Sequence, residues 1–573
     1  MTAIAAERPV SAATAGERLF GFVARSHARA CTVLLLLSLA CFLPGFVSLQ
    51  PMDRDEPRFA QATKQMLETG DFVDIRFQEA ARHKKPVGIH WLQSASVLTA
   101  EALGLPQART TIAVYRVPSL LGAVAMVLLT YWAALAFAGR REAFLAAAFV
   151  AASVILIVEA RLAKTDAVLG ACTVAAMGAL ARAYLARGVP QPAATVAIFW
   201  TAVGLGILVK GPMVLMFAGL PALVLSIRER SARWLLALRP GIGLLVVAAF
   251  AAPWFVAIAA KTGGAFFASA VGGDLLGKVA TGQENHWGPP GFYFVAFFAT
   301  FWPAAPLAAI AAPFLWRHRR EDAMAFALAW IVPSWLVFEA VSTKLPHYVM
   351  PLYPMIAIVT ALALARGAVG PHRPGAKATA LLVVVVPFAV VAALAFGAWT
   401  LEGSVPAAGL AVAAAAALVS VQAWRLFVRD EAVPAALAGI GASVLLVLGC
   451  LGLAQPTLEA LRISPRLAAV ARAFDCPGAS IGSAGYVEPS LVFLAGTQVR
   501  LMPNGATAAA FAAQGGCRLI FVEGRHEPDF RATLAALGIA AEPVARVSGF
   551  NINGGRRVDI GAWAVGGSLR RGG

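Results

Sequence analysis

The chain has 573 residues, of which 59% are hydrophobic and 13% charged, with a formal net charge of +17. Soluble globular domains are typically about half apolar and about a quarter charged, so the composition excludes an ordinary soluble protein and predicts a surface solvated largely by lipid. The cations are scattered through loops instead of being massed on one helix or patch, which argues against nucleic acid and favours anionic lipid head groups or anionic substrates as partners.

Apolar runs divide the chain into predicted membrane helices. The Ala-rich segment 1–29 precedes an apolar run that is too long for the core of a cleaved signal peptide and is predicted to be a retained first helix. A crossing needs about 17–25 apolar residues. About thirteen transmembrane helices are therefore predicted, near 30–48, 112–138, 143–159, 165–187, 192–209, 212–227, 238–260, 291–315, 322–341, 348–366, 377–399, 405–427 and 434–454.

The distribution of cations among the short loops predicts the orientation. With the N-terminus in the cytoplasm, the short loops on that side carry sixteen Arg and Lys residues and those on the opposite side carry six. Cytoplasmic loops are the ones enriched in cations, and an odd number of crossings leaves the C-terminus outside. The sequence thus predicts a multi-pass membrane protein with the residues of the less basic face on the outer side.

Two outer loops, 49–111 and 261–290, are long enough to carry function. The first contains a predicted helix from Glu56 to Glu68, with Pro57 in its first turn, where proline is favoured. It also contains an apolar stretch from Pro86 to Leu103 that is interrupted by polar residues, which predicts a helix lying at the membrane interface.

From residue 455 onward, short strand-like runs alternate with helical ones, which predicts a small α/β domain at 455–573, on the outer side, after a transmembrane domain at 1–454. The segment Gly549–Gly555 fits the turn of a final hairpin. Cys476 and Cys517 lie in this region and would be able to pair in an oxidising compartment. The other four cysteines fall in apolar spans, as buried hydrophobes do.

Charged residues at a membrane edge are expensive, and they mark candidate functional positions. Asp55 and Glu56 follow the first span, and Arg58 lies one turn later. Asp55 is either a helix N-cap or a carboxylate of the catalytic centre. Lys85 precedes Pro86 and is either a head-group contact or a specific phosphate ligand.

Further polar residues occupy the same predicted outer face. Asp166 follows Arg161 and Lys164 in a tight turn, where it is either a cap or part of the site. Lys210-Gly211-Pro212 joins two spans almost without a loop, and Lys344-Leu345-Pro346-His347-Tyr348 brings a cation, an imidazole and a phenol to one edge. Tyr348 also fits an ordinary interfacial aromatic. Cations converging beside an apolar groove suit a lipid-linked phosphate leaving group.

In order and spacing, these motifs resemble the membrane-embedded glycosyltransferases with the C-type (GT-C) fold. Within that superfamily, which includes the protein O-mannosyltransferases, the chain is most similar to the bacterial undecaprenyl phosphate-aminoarabinose:lipid A transferases. The resemblance extends over nearly the whole chain and includes the Gly549-Phe550-Asn551 turn. One departure is Gly88-Ile89-His90, which replaces a Pro-Leu-x-Tyr-Trp pattern after the Lys-Pro pair.

The resemblance implies transfer of a sugar, 4-amino-4-deoxy-L-arabinose, from undecaprenyl phosphate to a lipid A phosphate, a modification of lipopolysaccharide that confers resistance to polymyxin and other cationic peptides. It implies a monomer in the bacterial inner membrane, with the active site and the C-terminal α/β domain in the periplasm. The catalytic carboxylates would be Asp55, Glu56 and Asp166. Arg58, Lys85 and Tyr348 would hold the donor phosphate, with Lys210, His347 and Lys344 in support. A divalent metal ion is conceivable, with Glu56, Asp166 or His286 as ligands, although no metal-type spacing supports it.

Three other functions fit parts of the pattern. A secondary transporter usually shows repeated halves and polar sites at the midplane, whereas this chain has no repeat and its charges lie at one edge. A non-enzymatic lipid-binding scaffold leaves the converging charges unexplained. A protein O-glycosyltransferase with a polyprenyl-phosphate sugar donor shares the chemistry and differs only in the acceptor.

Overall fold

The computed structural model describes residues 15–52, 54–277 and 287–569. His286, one of the conceivable metal ligands, lies outside these ranges. The described part of the chain before the C-terminal domain is mainly helical. Its α-helices are α1 (Ala15–Ala24), α2 (His27–Phe42), α3 (Asp55–Thr69), α4 (Gly88–Ala102), α5 (Ile112–Ala134), α6 (Arg140–Ala152), α7 (Val154–Glu159), α8 (Asp166–Leu185), α9 (Ala193–Lys210), α10 (Met213–Arg228), α11 (Pro240–Thr262), α12 (Phe292–Thr300), α13 (Ala305–Arg317), α14 (Asp322–Ala340), α15 (Tyr353–Ala365), α16 (Ala376–Glu402), α17 (Ala407–Val428) and α18 (Ala432–Val447).

In the described ranges, nine helical segments are long and apolar enough to cross a membrane, and α2 and α10 are shorter apolar helices. The protein is therefore a polytopic membrane protein. All thirteen predicted spans coincide with helical segments, but two of them are broken. The span predicted at 143–159 divides into α6 and α7 where Ser153 takes an extended backbone (ψ 131°), and the Val154 N–H bonds to the Trp302 carbonyl at 3.3 Å. The span predicted at 291–315 divides into α12 and α13.

Small residues allow the central helices to approach closely. A Cβ on Gly122 of α5 would lie 2.9 Å from the backbone nitrogen of Val168 in α8, so an alanine there would force the two helices apart. Close approach through small residues is a usual way to pack helices in lipid, where hydrophobic association is weak. By contrast, α11 and α16 bury only about a fifth of their side chains inside the protein, as expected of helices that face lipid.

The segment between α2 and α5 is ordered over most of its length. It contains α3, a hairpin of two short strands, β1 (Arg76–Phe77) and β2 (Ala80–Ala81), and α4. The predicted helix over 56–68 and the predicted interfacial helix over 86–103 thus correspond to α3 and α4.

The C-terminal part forms a mixed sheet. Its elements are α19 (Ile463–Ala473), β3 (Phe474–Asp475), β4 (Ser480–Ala484), α20 (Pro489–Ala495), β5 (Arg500–Met502), α21 (Gly505–Ala512), β6 (Arg518–Glu523), α22 (Glu527–Leu537), β7 (Glu542–Asn551), β8 (Arg556–Val565) and β9 (Ser568–Leu569). The five-stranded order is β5-β4-β6-β8-β7. The pairs β4–β5 and β4–β6 are parallel, and β6–β8 and β7–β8 are antiparallel. The predicted hairpin is formed by β7 and β8, and Cys476 and Cys517 are disulfide-bonded.

The C-terminal part packs against α3 through α20 and the loop that follows it. The Gln61 side-chain amide donates to the Thr497 hydroxyl at 2.8 Å, and the Lys64 ammonium donates to the Phe493 carbonyl at 3.1 Å. Phe493 also meets the Tyr115 ring edge-on at 5.2 Å. These contacts join the C-terminal sheet to the helix that begins at Asp55.

Candidate active site

Asp55 is the first residue of α3, and its carboxylate is paired with two guanidinium groups. Arg58 lies 3.8 Å away, one turn along the same helix, and Arg82 lies 3.6 Å away, in the loop before α4. The Asp55 side chain is 46% exposed, so it remains accessible to a ligand. Arg82 is held in place by stacking over the Phe59 ring, 4.9 Å from its centroid. The N-cap residue of α3 is Arg54, so Asp55 lies in the first turn of the helix and not at the cap position.

Glu56 is fully buried and is bonded on both carboxylate oxygens. Arg116 of α5 donates to Oε1 at 2.7 Å and to Oε2 at 3.0 Å, while the backbone N–H groups of Met52 and Ala163 donate at 2.6 and 3.1 Å. The guanidinium of Arg116 also donates hydrogen bonds to the backbone carbonyls of Phe46, Leu49 and Gln50. Such a two-pronged charge-assisted pair fixes geometry. Glu56 therefore ties α3 to α5 and to the end of α2.

A chain of neutral hydrogen bonds extends this frame through α4. Thr63 donates its hydroxyl proton to Gln93 at 2.7 Å, so the Nδ1–H of His90 donates to the Thr63 oxygen at 2.8 Å. The Gln93 amide then donates to the Ala163 carbonyl at 3.1 Å. Burial, with a smaller contribution from the positive Arg82, lowers the pKa of His90 to about 3, so this imidazole is neutral. The turn before α8 is thus held by Glu56 at one side of Ala163 and by Gln93 at the other.

Gly88 explains the departure from the family pattern after Lys85-Pro86. A Cβ at Gly88 would lie 2.7 Å from the Leu208 carbonyl oxygen, so only glycine lets α4 start directly against the end of α9. Gly211, the residue after α9, adopts a positive φ of 63°, and its Cβ position is 4.0 Å from the Pro86 ring. The Lys85-Pro86 and Lys210-Gly211 motifs, more than a hundred residues apart, are therefore neighbours.

Asp166 starts α8 at the centre of a buried charge cluster. The Lys210 ammonium donates to its Oδ1, and His347 Nε2 lies 3.5 Å from the same oxygen. Glu159, the last residue of α7, lies 3.4 Å from the other nitrogen of His347 and 3.3 Å from the Lys164 ammonium. Two carboxylates and two ammonium groups thus balance one another around one imidazole, which limits the cost of burying them.

Tyr348 covers one side of this cluster. Its ring lies 5.5 Å from the Lys210 ammonium, within cation–π range, and 5.5 Å from the Phe338 ring. A small cavity of about 230 Å³ opens here, with Asp166, Lys210 and His347 on one wall. Its other walls are apolar, formed by Leu169, Met213, Phe217, Phe338, Met350 and Pro351. An ionic end beside apolar walls fits a lipid that carries a phosphate.

Two cations of the predicted outer face bind backbone carbonyls. The Lys344 ammonium donates to Phe338 and Glu339 at 2.7 Å each, at the C-terminal end of α14, and burial lowers the pKa of Lys344. Arg161 donates to the carbonyls of Pro44, Ile157 and Cys41. Cations suit helix C-terminal carbonyls, so both residues tie helix ends together.

Glu159 is the residue of this cluster that sequence reasoning missed. It is 2% exposed, and its Oε2 has no hydrogen-bond partner among the described residues. It ends an otherwise apolar run, Val154-Ile155-Leu156-Ile157-Val158. An acid at the end of a membrane span is itself a signal of function, and that signal was available from the sequence.

The same cluster has the spacing of a cation site. Ligand atoms of Glu159, Asp166 and His347 all lie within 4.8 Å of one another. Lys164 and Lys210 already neutralise the two carboxylates, so a divalent ion would have to displace both ammonium groups. Glu56, another conceivable metal ligand, forms an ion pair with Arg116.

Comparison with known proteins reveals similarity in both sequence and structure. No family model matches the chain. The undecaprenyl phosphate-alpha-4-amino-4-deoxy-L-arabinose arabinosyl transferase of Erwinia tasmaniensis is 26% identical over 344 residues, or 60% of each chain. The protein of the same name from Pectobacterium carotovorum is 24% identical over 58% of each chain. The aligned segments thus span about 60% of the length of these relatives.

The structural similarity covers far more of the molecule. ArnT from Cupriavidus metallidurans bound to undecaprenyl phosphate superposes with a TM-score of 0.70 at 19% identity, over 93% of this chain and 97% of ArnT. The chain has the C-type glycosyltransferase fold. The archaeal oligosaccharyltransferase AglB from Archaeoglobus fulgidus, in complex with an inhibitory peptide and a dolichol-phosphate, shares that fold with a TM-score of 0.50, over 87% of this chain and 69% of AglB. The predicted fold class, a polytopic helical C-type membrane part followed by a small sheet-containing part, is confirmed.

Proposed function

We propose that the protein transfers 4-amino-4-deoxy-L-arabinose from undecaprenyl phosphate to a phosphate of lipid A, on the periplasmic side of the bacterial inner membrane. The observation that carries this proposal is the meeting of Asp166, Lys210, His347 and Tyr348 at one end of an apolar-walled cavity. The same fold holds undecaprenyl phosphate in ArnT from Cupriavidus metallidurans. The sugar and its undecaprenyl phosphate carrier are inferred from the name of the sequence relatives, and the lipid A acceptor is the one that the resemblance of the sequence motifs implies.

The donor phosphate is assigned to the cations near the ends of α3, α4 and α9. Lys85, Arg58 and Lys210 would receive the negative charge that develops on the leaving group, and Tyr348 would close the cavity beside it. Cationic clamps on a departing phosphate are a strong source of transition-state stabilisation. His347 and Asp166 orient Lys210 through the contacts described above.

Transfer is proposed to be a direct displacement with inversion at the sugar. An oxygen of the acceptor phosphate forms a bond to the anomeric carbon while the bond from that carbon to the polyprenyl phosphate oxygen breaks, and its electron pair leaves with that oxygen. The second pKa of a phosphate monoester is about 6, so the acceptor is ionised and needs no general base. Asp55, exposed and flanked by Arg58 and Arg82, is assigned to stabilise positive character on the sugar.

The test is transfer by purified protein in lipid nanodiscs, given undecaprenyl-phospho-aminoarabinose and either lipid A or a Ser/Thr-containing peptide. Mass analysis of the product identifies sugar and acceptor together. Lipid A that gains one aminoarabinose is the expected result. Product on the peptide alone would instead establish a protein O-glycosyltransferase. A covalent sugar trapped on Asp55 would replace the single displacement with a two-step reaction.

A further inference from the structure

A second, polar cavity lies between the end of the first span and the C-terminal sheet, away from the charge cluster around Asp166. It opens to solvent and is lined on one side by Gln50 and Met52 and on the other by Tyr486, Glu488 and Asn551. Glu488 and Asn551 were not among the residues that the sequence singled out for chemistry.

The polar side chains of this cavity are fixed before any ligand binds. Glu488 is 7% exposed, and its two carboxylate oxygens accept from the amides of Asn551 and Asn553, at 2.8 Å each. On the neighbouring wall, the Ser464 hydroxyl bonds to the hydroxyls of Tyr486 and Ser490, also at 2.8 Å. A carboxylate offers about four acceptor sites, so Glu488 can still accept from ligand hydroxyl groups.

The composition of the lining indicates the chemical class of the ligand. Hydroxyl, amide and carboxylate groups lie beside the aromatic side chains of Tyr486 and Phe550, and no described lining residue is Lys or Arg. An anion bound there would face Glu488 without a compensating cation, which is unfavourable in a half-buried site. A hydroxyl-rich, uncharged group such as a sugar ring satisfies the acceptors without that penalty.

The cavity shares a wall with the start of α3. Met52, which lines it, donates its backbone N–H to Glu56 at 2.6 Å, and the Arg54 guanidinium reaches the Asn553 carbonyl at 3.4 Å. A sugar held in the cavity is therefore only a few residues away from Asp55 and Arg58. The phosphate that such a sugar carries would point toward those charged groups.

We infer that this cavity binds the saccharide part of the acceptor lipid, and that Glu488, Asn551 and Asn553 select the acceptor by bonding its hydroxyl groups. The inference rests on the proposed transfer to a glycolipid phosphate. It assigns acceptor recognition to the C-terminal sheet, whereas the donor phosphate is held among the membrane helices.

The kinetic test uses two variants. One narrows the mouth of the cavity, and the other removes the negative charge of Glu488. Ile552 is 44% exposed and lines the cavity, so Ile552→Trp narrows it without disturbing the core; Glu488→Gln removes the carboxylate. Leu537→Trp, equally exposed at the end of α22 and not part of the lining, is the matched control. A contact that stabilises the bound substrate and the transition state equally lowers KM and leaves kcat unchanged, so its loss raises KM alone. The KM for lipid A is expected to rise about tenfold in both variants, while kcat, the KM for the donor and all constants of the control stay near wild type.

A binding measurement separates failure of this inference from failure of the proposed function. Hydrogen exchange is followed in wild-type protein with and without the water-soluble, deacylated glucosamine disaccharide bisphosphate. Protection of residues 486–490 and 549–555 is expected, and it should be lost in Ile552→Trp. Wild-type transfer to lipid A with unchanged acceptor KM in Ile552→Trp, or no protection by the disaccharide, overturns the inference. Protection without any transfer to lipid A would overturn the proposed function and leave the saccharide site standing.

Discussion

Glu56→Gln tests whether the second carboxylate of α3 shapes the site or takes part in the chemistry. The substitution keeps the size of the side chain but leaves the fully buried Arg116 guanidinium without its negative partner. Removing one member of a buried ion pair costs about 3–5 kcal/mol. We therefore expect the free energy of unfolding to fall by about that amount, because four hydrogen bonds converge on this one carboxylate.

The measurement is denaturant unfolding in detergent micelles, followed by tryptophan fluorescence, alongside the rate of transfer per folded molecule. Glu68→Gln is the matched control on the same helix, because its partly exposed carboxylate bonds to Thr497 and pairs with Lys64 at 3.8 Å. Glu68 is 34% exposed, and the buried Lys64 keeps its bond to the Phe493 carbonyl when Glu68 is neutralised, so the control should lose much less stability than Glu56→Gln.

A double-mutant cycle sharpens the result. Glu56→Gln combined with Arg116→Met removes both charges, so the double variant should be more stable than the sum of the two single effects predicts, by about 0.5–3 kcal/mol. If Glu56→Gln unfolds at the wild-type denaturant concentration and yet transfers no sugar, Glu56 takes part in the chemistry and does not act by positioning α3 against α5.

Four further substitutions are informative. Asp55→Asn and Lys85→Ala should lower kcat by about 10²–10⁴-fold with the unfolding midpoint unchanged, since Asp55 is exposed; activity near wild type in either would remove that residue from the site. Glu159→Gln should lower transfer by about 10²-fold through displacement of His347 and Lys164, whereas normal transfer would show that the unpartnered oxygen has no role. Because the pKa of His90 is lowered to about 3, its contribution to stability is present above the unfolded-state pKa of about 6.5 and is lost as the pH falls below it. His90→Gln should therefore flatten the decline in stability between pH 6.5 and 5 by up to about 1.4 kcal/mol per pH unit; an unchanged slope would show that this imidazole is not buried in neutral form.

The membrane helices were predictable from the sequence because a run of about twenty apolar residues has few alternatives to a crossing. The two breaks were not, since they depend on tertiary contacts. Ser153 is unremarkable in the sequence, and the chain opens there because Val154 bonds to the carbonyl of Trp302, which follows α12. The strands of the C-terminal sheet were located, but the pairing of β6 with both β4 and β8 could not be derived from local patterns.

The candidate site was predictable where a charge interrupts an apolar setting, as at Lys210 and Asp166. What a charged side chain contacts was not, because that depends on which partner the fold brings to it. Lys344 and Lys210 look alike in the sequence, yet one binds the carbonyls at the end of α14 and the other binds Asp166 beside Tyr348. Arg116 lay inside an apolar span and was passed over, although it organises Glu56.

The contacts between α3 and the C-terminal part place Asp55 and the disulfide on the same side of the membrane, so one labelling experiment determines the location of both. Gln61 bonds to Thr497 and Lys64 to the Phe493 carbonyl, so Asp55 and the disulfide-bearing sheet lie on the same side of the membrane. Disulfides persist in oxidising compartments, and Cys476 is bonded to Cys517. In intact cells both thiols should therefore resist a membrane-impermeant maleimide until a reductant is added. Cys476→Ala should leave Cys517 reactive from outside, whereas a cysteine placed at Arg141 on the opposite face should not react. Reduced Cys476 and Cys517 in untreated cells, reached only after the inner membrane is permeabilised, would place Asp55 in the cytoplasm and contradict the proposed transfer to lipid A in the periplasm.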